Sequence, residues 1–133
     1  MKQDDLAEGI GKEEELCKRW CKARSCSYIK APTYEDFDFF ITKDGMLDHF
    51  LEVRTRNVAL KDYQDTMIPL RKYNFAMNML RANYKVYALI EWTDKIGFLE
   101  LWQRPDAIQL ITRKDRNETN PYAMFKISKI NIL

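Results

Sequence analysis

The chain has 133 residues, 46% hydrophobic, 13% aromatic and 32% charged, a make-up that excludes a disordered or collagen-like protein and suits one domain, residues 1–133, with one core. Its 22 basic and 20 acidic side chains leave a formal charge of +2, so the placement of charge says more about polyanionic partners than its sum. No apolar run reaches the ~18 residues that span a bilayer, and the opening MKQDDLAEGIGKEEE is acidic and polar, unlike a secretory signal; the expectation is a soluble, intracellular protein with no membrane partner.

The spacing predicts a first helix over residues 12–23, because Leu16, Cys17, Trp20 and Cys21 fall on one face. One turn towards the N-terminus that face carries Glu13, an acid at the edge of the apolar stripe. Glu14 and Glu15 point elsewhere and suit the positive end of the helix dipole. Cys17, Cys21 and Cys26 read as small thiols in a reducing compartment. A structural zinc site needs four ligands, and the only histidine, His49, lies in a predicted strand. Residues 25–31 read as a short strand that Pro32 ends.

Residues 37–57, FDFFITKDGMLDHFLEVRTRN, read as two strands reversing at Asp44-Gly45. Each arm carries an acid among apolar neighbours: Asp38 beside Phe37 and Phe39, and Glu52 between Leu51 and Val53. Burying such carboxylates costs several kcal/mol unless a cation neutralises them. Alternate strand residues share a face, so Asp38 goes with Phe40 and Thr42, and Glu52 with Arg54. A two-residue turn with a regular ladder pairs Asp38 with Leu51 and sends Glu52 to the opposite face. The acids therefore meet only if the loop has an odd number of residues or a strand carries a bulge. The expectation is a three- or five-residue loop with Gly45 at positive φ. Two carboxylates and the carbonyl of Val53 form a hard-oxygen site that suits Mg²⁺ or Mn²⁺. Acids on a solvated sheet face are the plainer alternative.

Residues 57–68 lack a clean period and read as a loop with a turn of helix. Pro69 suits the first turn of a second helix running to about Asn83, with Leu70, Tyr73, Met77 and Leu80 as its apolar stripe and Ala76 completing it. Residues 86–92, VYALIEW, read as a central strand covered on both faces, and 97–102 as the strand after it. Residues 106–112 are a candidate strand, 113–121 a loop, and AMFKISKINIL a last strand at the sheet edge. The order of elements predicts an α/β or α+β fold, a central mixed sheet flanked by helices. Arg54, Arg56, Lys61, Arg71, Lys72, Arg81 and Lys85 follow the hairpin and would track phosphates if they line one side, although Asp62, Asp65 and Glu91 interrupt them. Tyr63 could stack on a base, whereas Tyr73 suits the core.

Glu13 on a helix, Asp38 and Glu52-Val53-Arg54 on consecutive strands, and Lys72 on the next helix resemble the PD-(D/E)XK nuclease superfamily. The phrasing EVRTRN, then Tyr63 and IPLRKY, then VYALIEWTDKIGFLEL, is similar to small phage-type and Holliday junction resolvase-like members. The resemblance implies a restriction-endonuclease-like core and a Mg²⁺- or Mn²⁺-dependent hydrolase that cuts DNA phosphodiesters, structure-specific in the manner of a resolvase, serving phage DNA metabolism in the host cytoplasm. It implies that Asp38, Glu52 and the Val53 carbonyl hold the metal, with Glu13 reaching it through water. Arg54 stands where the family usually has lysine, and Lys72 matches a helix residue that contacts DNA or supplies that lysine. Arg54, Arg56, Lys61, Arg71 and Lys72 become the candidate DNA contacts, and a homodimer formed through the last strand or the hairpin around Trp92 and Trp102 is the candidate assembly. Phe37 stands where the family has proline. Arginine is a poor base, so the alternative is a catalytically weak or inactive nuclease-fold module that binds DNA or aids assembly.

Overall fold

In the computed structural model, residues 3–33 and 35–133 are described, with side chains from residue 11 onward. Helix α1 (Gln3–Arg24) leads into strands β1 (Ser27–Lys30), β2 (Phe39–Lys43) and β3 (Met46–Thr55). A 3₁₀ turn (Leu60–Asp62), β4 (Asp65–Pro69) and α2 (Leu70–Arg81) follow. The chain then makes β5 (Lys85–Glu91), β6 (Ile96–Glu100), β7 (Ala107–Arg113), β8 (Glu118–Lys126), a second 3₁₀ turn (Ile127–Lys129) and β9 (Asn131–Ile132).

Six strands form a mixed sheet in the order β1-β2-β3-β5-β6-β9, in which only β3 and β5 run parallel. A parallel pair needs a crossover, and the segment carrying α2 provides it. The second sheet, β4-β8-β7, is antiparallel. The large sheet separates two cores. On one face Leu16, Cys17, Trp20 and Cys21 of α1 meet Phe39, Ile41, Leu51, Val53 and Leu89. On the other, Phe50, Val86, Ala88 and Ile90 meet Ala76 of α2 and Ile68, Ala123 and Phe125 of the small sheet. The strand β5 contributes to both, which is why its sequence is apolar without alternation.

The hairpin differs from the three- or five-residue loop expected. Asp44 and Gly45, at φ 52° and 79°, make a two-residue turn closed by Lys43 and Met46. The register then shifts: Thr42 faces Leu47, but Ile41 faces His49, leaving Asp48 as the extra residue of a β-bulge. Asp-Gly accepts the left-handed backbone of the tight turn, so the odd residue goes into the strand instead of the loop. Beyond the bulge Phe39 faces Leu51, and the Asp38 amide donates to the Leu51 carbonyl at 3.1 Å. The acids thus share a face, with Phe40 and Phe50 beside them.

Other expectations are corrected. The first helix begins at Gln3, ahead of residue 12. The stretch 57–68 contains the 3₁₀ turn but also the start of β4, which has no period to reveal it. On α2 the residues packed against the core are Leu70, Tyr73, Phe75, Ala76 and Met79, so Met77 and Leu80 lie beside the stripe. Residues 118–121 are strand, and the tail divides: Ala123–Lys126 lie in β8, central in the small sheet, while β9 pairs with β6 at the edge of the large one. Trp92, a candidate dimer surface, is only 5% exposed and belongs to the core.

Candidate active site

Glu52 lies on the face of β3 that looks towards α2, 5% exposed. The first turns of α2 bring Lys72 over it: the Lys72 ammonium donates to Glu52 Oε2 at 2.9 Å and to the Asp36 carbonyl at 3.2 Å. Arg54, two residues along the same face, holds Nη1 at 3.7 Å from Glu52 Oε1. Its Nε is buried and has no hydrogen-bond partner among the described residues. Asp38 stands just before β2 begins, where its Oδ2 accepts the Val53 amide N–H at 2.7 Å. In a strand the N–H and C=O of one residue point to the same edge. The Val53 carbonyl therefore faces the Asp38 side, past the start of β2.

The electrostatics tie these groups together. Burial pushes the Glu52 carboxyl up to about 7, and the Asp38 charge pushes the same way, against the pull of Lys72 and Arg54. Burial also raises Glu13, with the Asp38 charge next, opposed by Lys30 and Lys72. The structure therefore gathers Asp38, Glu52, Arg54 and Lys72, with Glu13 of α1 within electrostatic reach. Among the described residues no three acidic, histidine or cysteine side chains converge as a ready metal cage. The donor set is instead two carboxylates with a carbonyl beside them. That fits a hard cation which keeps several waters.

The remaining basic candidates are dispersed. Arg71 pairs with Asp36 at 3.0 Å, next to the Lys72 contact. Arg56 donates to the Met67 carbonyl at 3.1 Å, so part of its guanidinium ties β3 to β4. Lys61 sits in the 3₁₀ turn, where Asp94 accepts the amide N–H groups of Leu60 and Lys61 at 2.7 and 3.3 Å. Sequence reasoning missed Lys12, Arg19 and Lys95, which with Arg56 line a cleft of about 800 Å³ at the ends of β3 and β5. The seven-residue spacing of Lys12 and Arg19, two turns of one helix, was the available signal.

The architecture, a mixed sheet flanked by helices, is similar in fold to a solved resolvase. It superposes on the structure of Hjc, a Holliday junction resolvase from the archaeal hyperthermophile Archaeoglobus fulgidus, with a TM-score of 0.51 at 10% identity, covering 88% of this chain and 85% of that one. At that identity the likeness establishes the fold. Membership comes from the sequence: residues 5–132 match the family described as "Phage putative PDDEXK endonuclease", and the chain belongs to that family. No curated protein matches it.

Proposed function

We propose that the protein is a divalent-metal-dependent DNA endonuclease, one nuclease-fold domain that acts on branched DNA and serves phage DNA metabolism. The observation that carries this reading is the convergence of Asp38, Glu52, Lys72 and Arg54 on one face of the sheet. Asp38, Glu52 and the Val53 carbonyl would hold Mg²⁺ or Mn²⁺, with Glu13 bonded to one of its waters. The ion, when bound, supplies a Lewis acid at a phosphoryl oxygen and a more acidic water. Lys72 keeps the buried Glu52 carboxylate neutralised and in place, and stands where it can meet the scissile phosphate. Arg54, with Nη1 at 3.7 Å from Glu52 Oε1, would offer the outer N–H groups of its guanidinium to the same phosphate, a charge-assisted bond at the point where charge develops.

The alternative, a nuclease-fold module without catalysis, rested on arginine replacing lysine in Glu52-Val53-Arg54. Lys72 at 2.9 Å from Glu52 supports the enzyme, since it brings an ammonium back to the site from α2. The test is incubation with four-way junctions and linear duplexes in Mg²⁺ or Mn²⁺. Cleavage of the junction is expected, and Glu52→Ala should lower it by at least about 100-fold. Wild-type protein that leaves all DNA intact, or Glu52→Ala that cuts as well as wild type, overturns the proposal. Calorimetric Mn²⁺ binding to wild type and not to Glu52→Ala checks the ion site apart from catalysis.

A further inference from the structure

We infer that the hollow beside Tyr63 receives an unpaired nucleobase, and that the basic cleft opening into it takes the neighbouring phosphates; the inference rests on the reading of DNA as the ligand. The hollow holds about 530 Å³, room for one base, and is walled by Val58, Tyr63, Met67, Trp92 and Met124. It shares Thr55, Arg56, Asn57 and Trp92 with the cleft of Lys12, Arg19 and Lys95. An apolar chamber and a cationic groove that meet at one arginine match the two halves of a nucleotide.

Tyr63 is 51% exposed, an aromatic ring that folding leaves largely in water at the mouth of the hollow. An aromatic face stacks on any base at little cost in side-chain freedom. Asn57 and Asp65, also in the wall, present an amide and a carboxylate to the donors and acceptors of a base edge. Arg56 is held at the junction of the two spaces by the Met67 carbonyl. The two acids of the cleft are already engaged: Glu91 lies 3.7 Å from Lys12, and Asp94 caps the amides of the 3₁₀ turn. Lys95, Arg19 and Arg56 thus leave the cleft net cationic. Thr55 is three strand residues from Glu52, about 10 Å, so the base taken is a near neighbour of the bond at the active site. A base inside a duplex is stacked on both sides and must be flipped out to enter, whereas a flap or a single strand offers one free. The geometry therefore selects DNA that carries unpaired nucleotides.

The experiment measures binding in EDTA, where no bond is cut, by anisotropy of a labelled single strand and a blunt duplex of equal length. Wild type should hold the single strand about tenfold tighter or better, and Tyr63→Ala should lose about tenfold on the single strand while its duplex affinity stays within about twofold. Tyr63→Phe should keep the preference, and 2-aminopurine at an unpaired position should be quenched by wild type but not by Tyr63→Ala. Equal affinity for the two DNAs, or single-strand binding unmoved in Tyr63→Ala, overturns the inference. Preference for unpaired DNA in a protein that cuts nothing in Mg²⁺ supports the hollow and overturns the nuclease. Absence of DNA binding at low salt overturns both.

Discussion

Glu52 shows how one buried acid governs behaviour at the residue scale. In the folded protein its carboxyl holds a proton up to about pH 7, whereas in the unfolded chain it ionises near 4.5. Its contribution to stability is therefore fully present below about pH 4.5 and is lost as the pH rises through about 7. The loss amounts to at most about 3 kcal/mol in metal-free protein. Glu52→Gln should flatten this slope, whatever it does to the absolute level by leaving Lys72 without its partner. Urea midpoints for both proteins between pH 4.5 and 8 check it; parallel profiles would refute it. His49 works in the opposite sense. Its Nε2 accepts the Trp20 indole N–H at 2.9 Å, which places the ring proton on Nδ1, facing Asp48 Oδ2 at 2.7 Å. Burial pulls its pKa down against the favourable Asp48 charge, with Arg24 adding to the depression. The neutral ring thus stabilises the fold above about pH 6.5, and that contribution fades as the pH falls.

At the scale of elements the hairpin decides whether a site exists. Gly45→Ala puts a Cβ on a residue at φ 79° and should cost about 1 kcal/mol, with Mn²⁺ binding unchanged, readable from denaturation and calorimetry together. Deleting Asp48 tests the same arithmetic: it removes the extra residue and leaves a regular ladder in which Asp38 still faces Glu52, so the variant should keep Mn²⁺ binding by calorimetry, and loss of binding in a chain that circular dichroism reports as folded would refute it. Much of this was legible in the sequence. The apolar spacing of Leu16, Cys17, Trp20 and Cys21 gave the α1 face, and the Asp-Gly signal gave the turn. The need for an odd loop or a bulge followed from counting alone. Which of the two occurs was not legible, because a bulge has no composition of its own and depends on how Asp48 and His49 pack. The small sheet was hidden for a different reason. Its strand β7 is exposed along most of its length, so no alternation marks it, and β8 contains Pro121, opposite Leu110 and beyond the last residue that pairs with β4. Pairings between distant strands, not local periods, create that sheet. Of the candidate site, the acids and Lys72 could be named from the sequence, whereas Lys12, Arg19 and Lys95 meet only because α1 and the β5–β6 turn come together.

Across the whole molecule, two cores share one sheet, and damage to either should reach the site. Trp20 is fully buried against Tyr87, Phe98 and His49, so Trp20→Ala should cost about 3–5 kcal/mol in urea denaturation although no active-site group touches it. At the other end of the sheet, Gly97 leaves room for the C-terminal strand: a Cβ there would come within 2.8 Å of Ile130 and 2.9 Å of the Asn131 carbonyl oxygen. Because the net charge is only +2, the DNA affinity proposed here would have to come from local clustering, not a global field. Replacing both Lys12 and Arg19 with alanine should reduce the slope of log K against log salt by about 2 if both meet phosphate. The bulge, finally, sets a rule of arithmetic for descent. Asp38 and Glu52 are separated by an even number, 14, which a two-residue turn can accommodate only with one unpaired residue in the ladder. A cousin of this protein that keeps the tight turn but straightens its strand must space its acids by an odd number. A single-residue gain or loss in this stretch will therefore survive only where the bulge comes or goes with it, a bookmark of the proposed ion site that an alignment of kin can read without any coordinates.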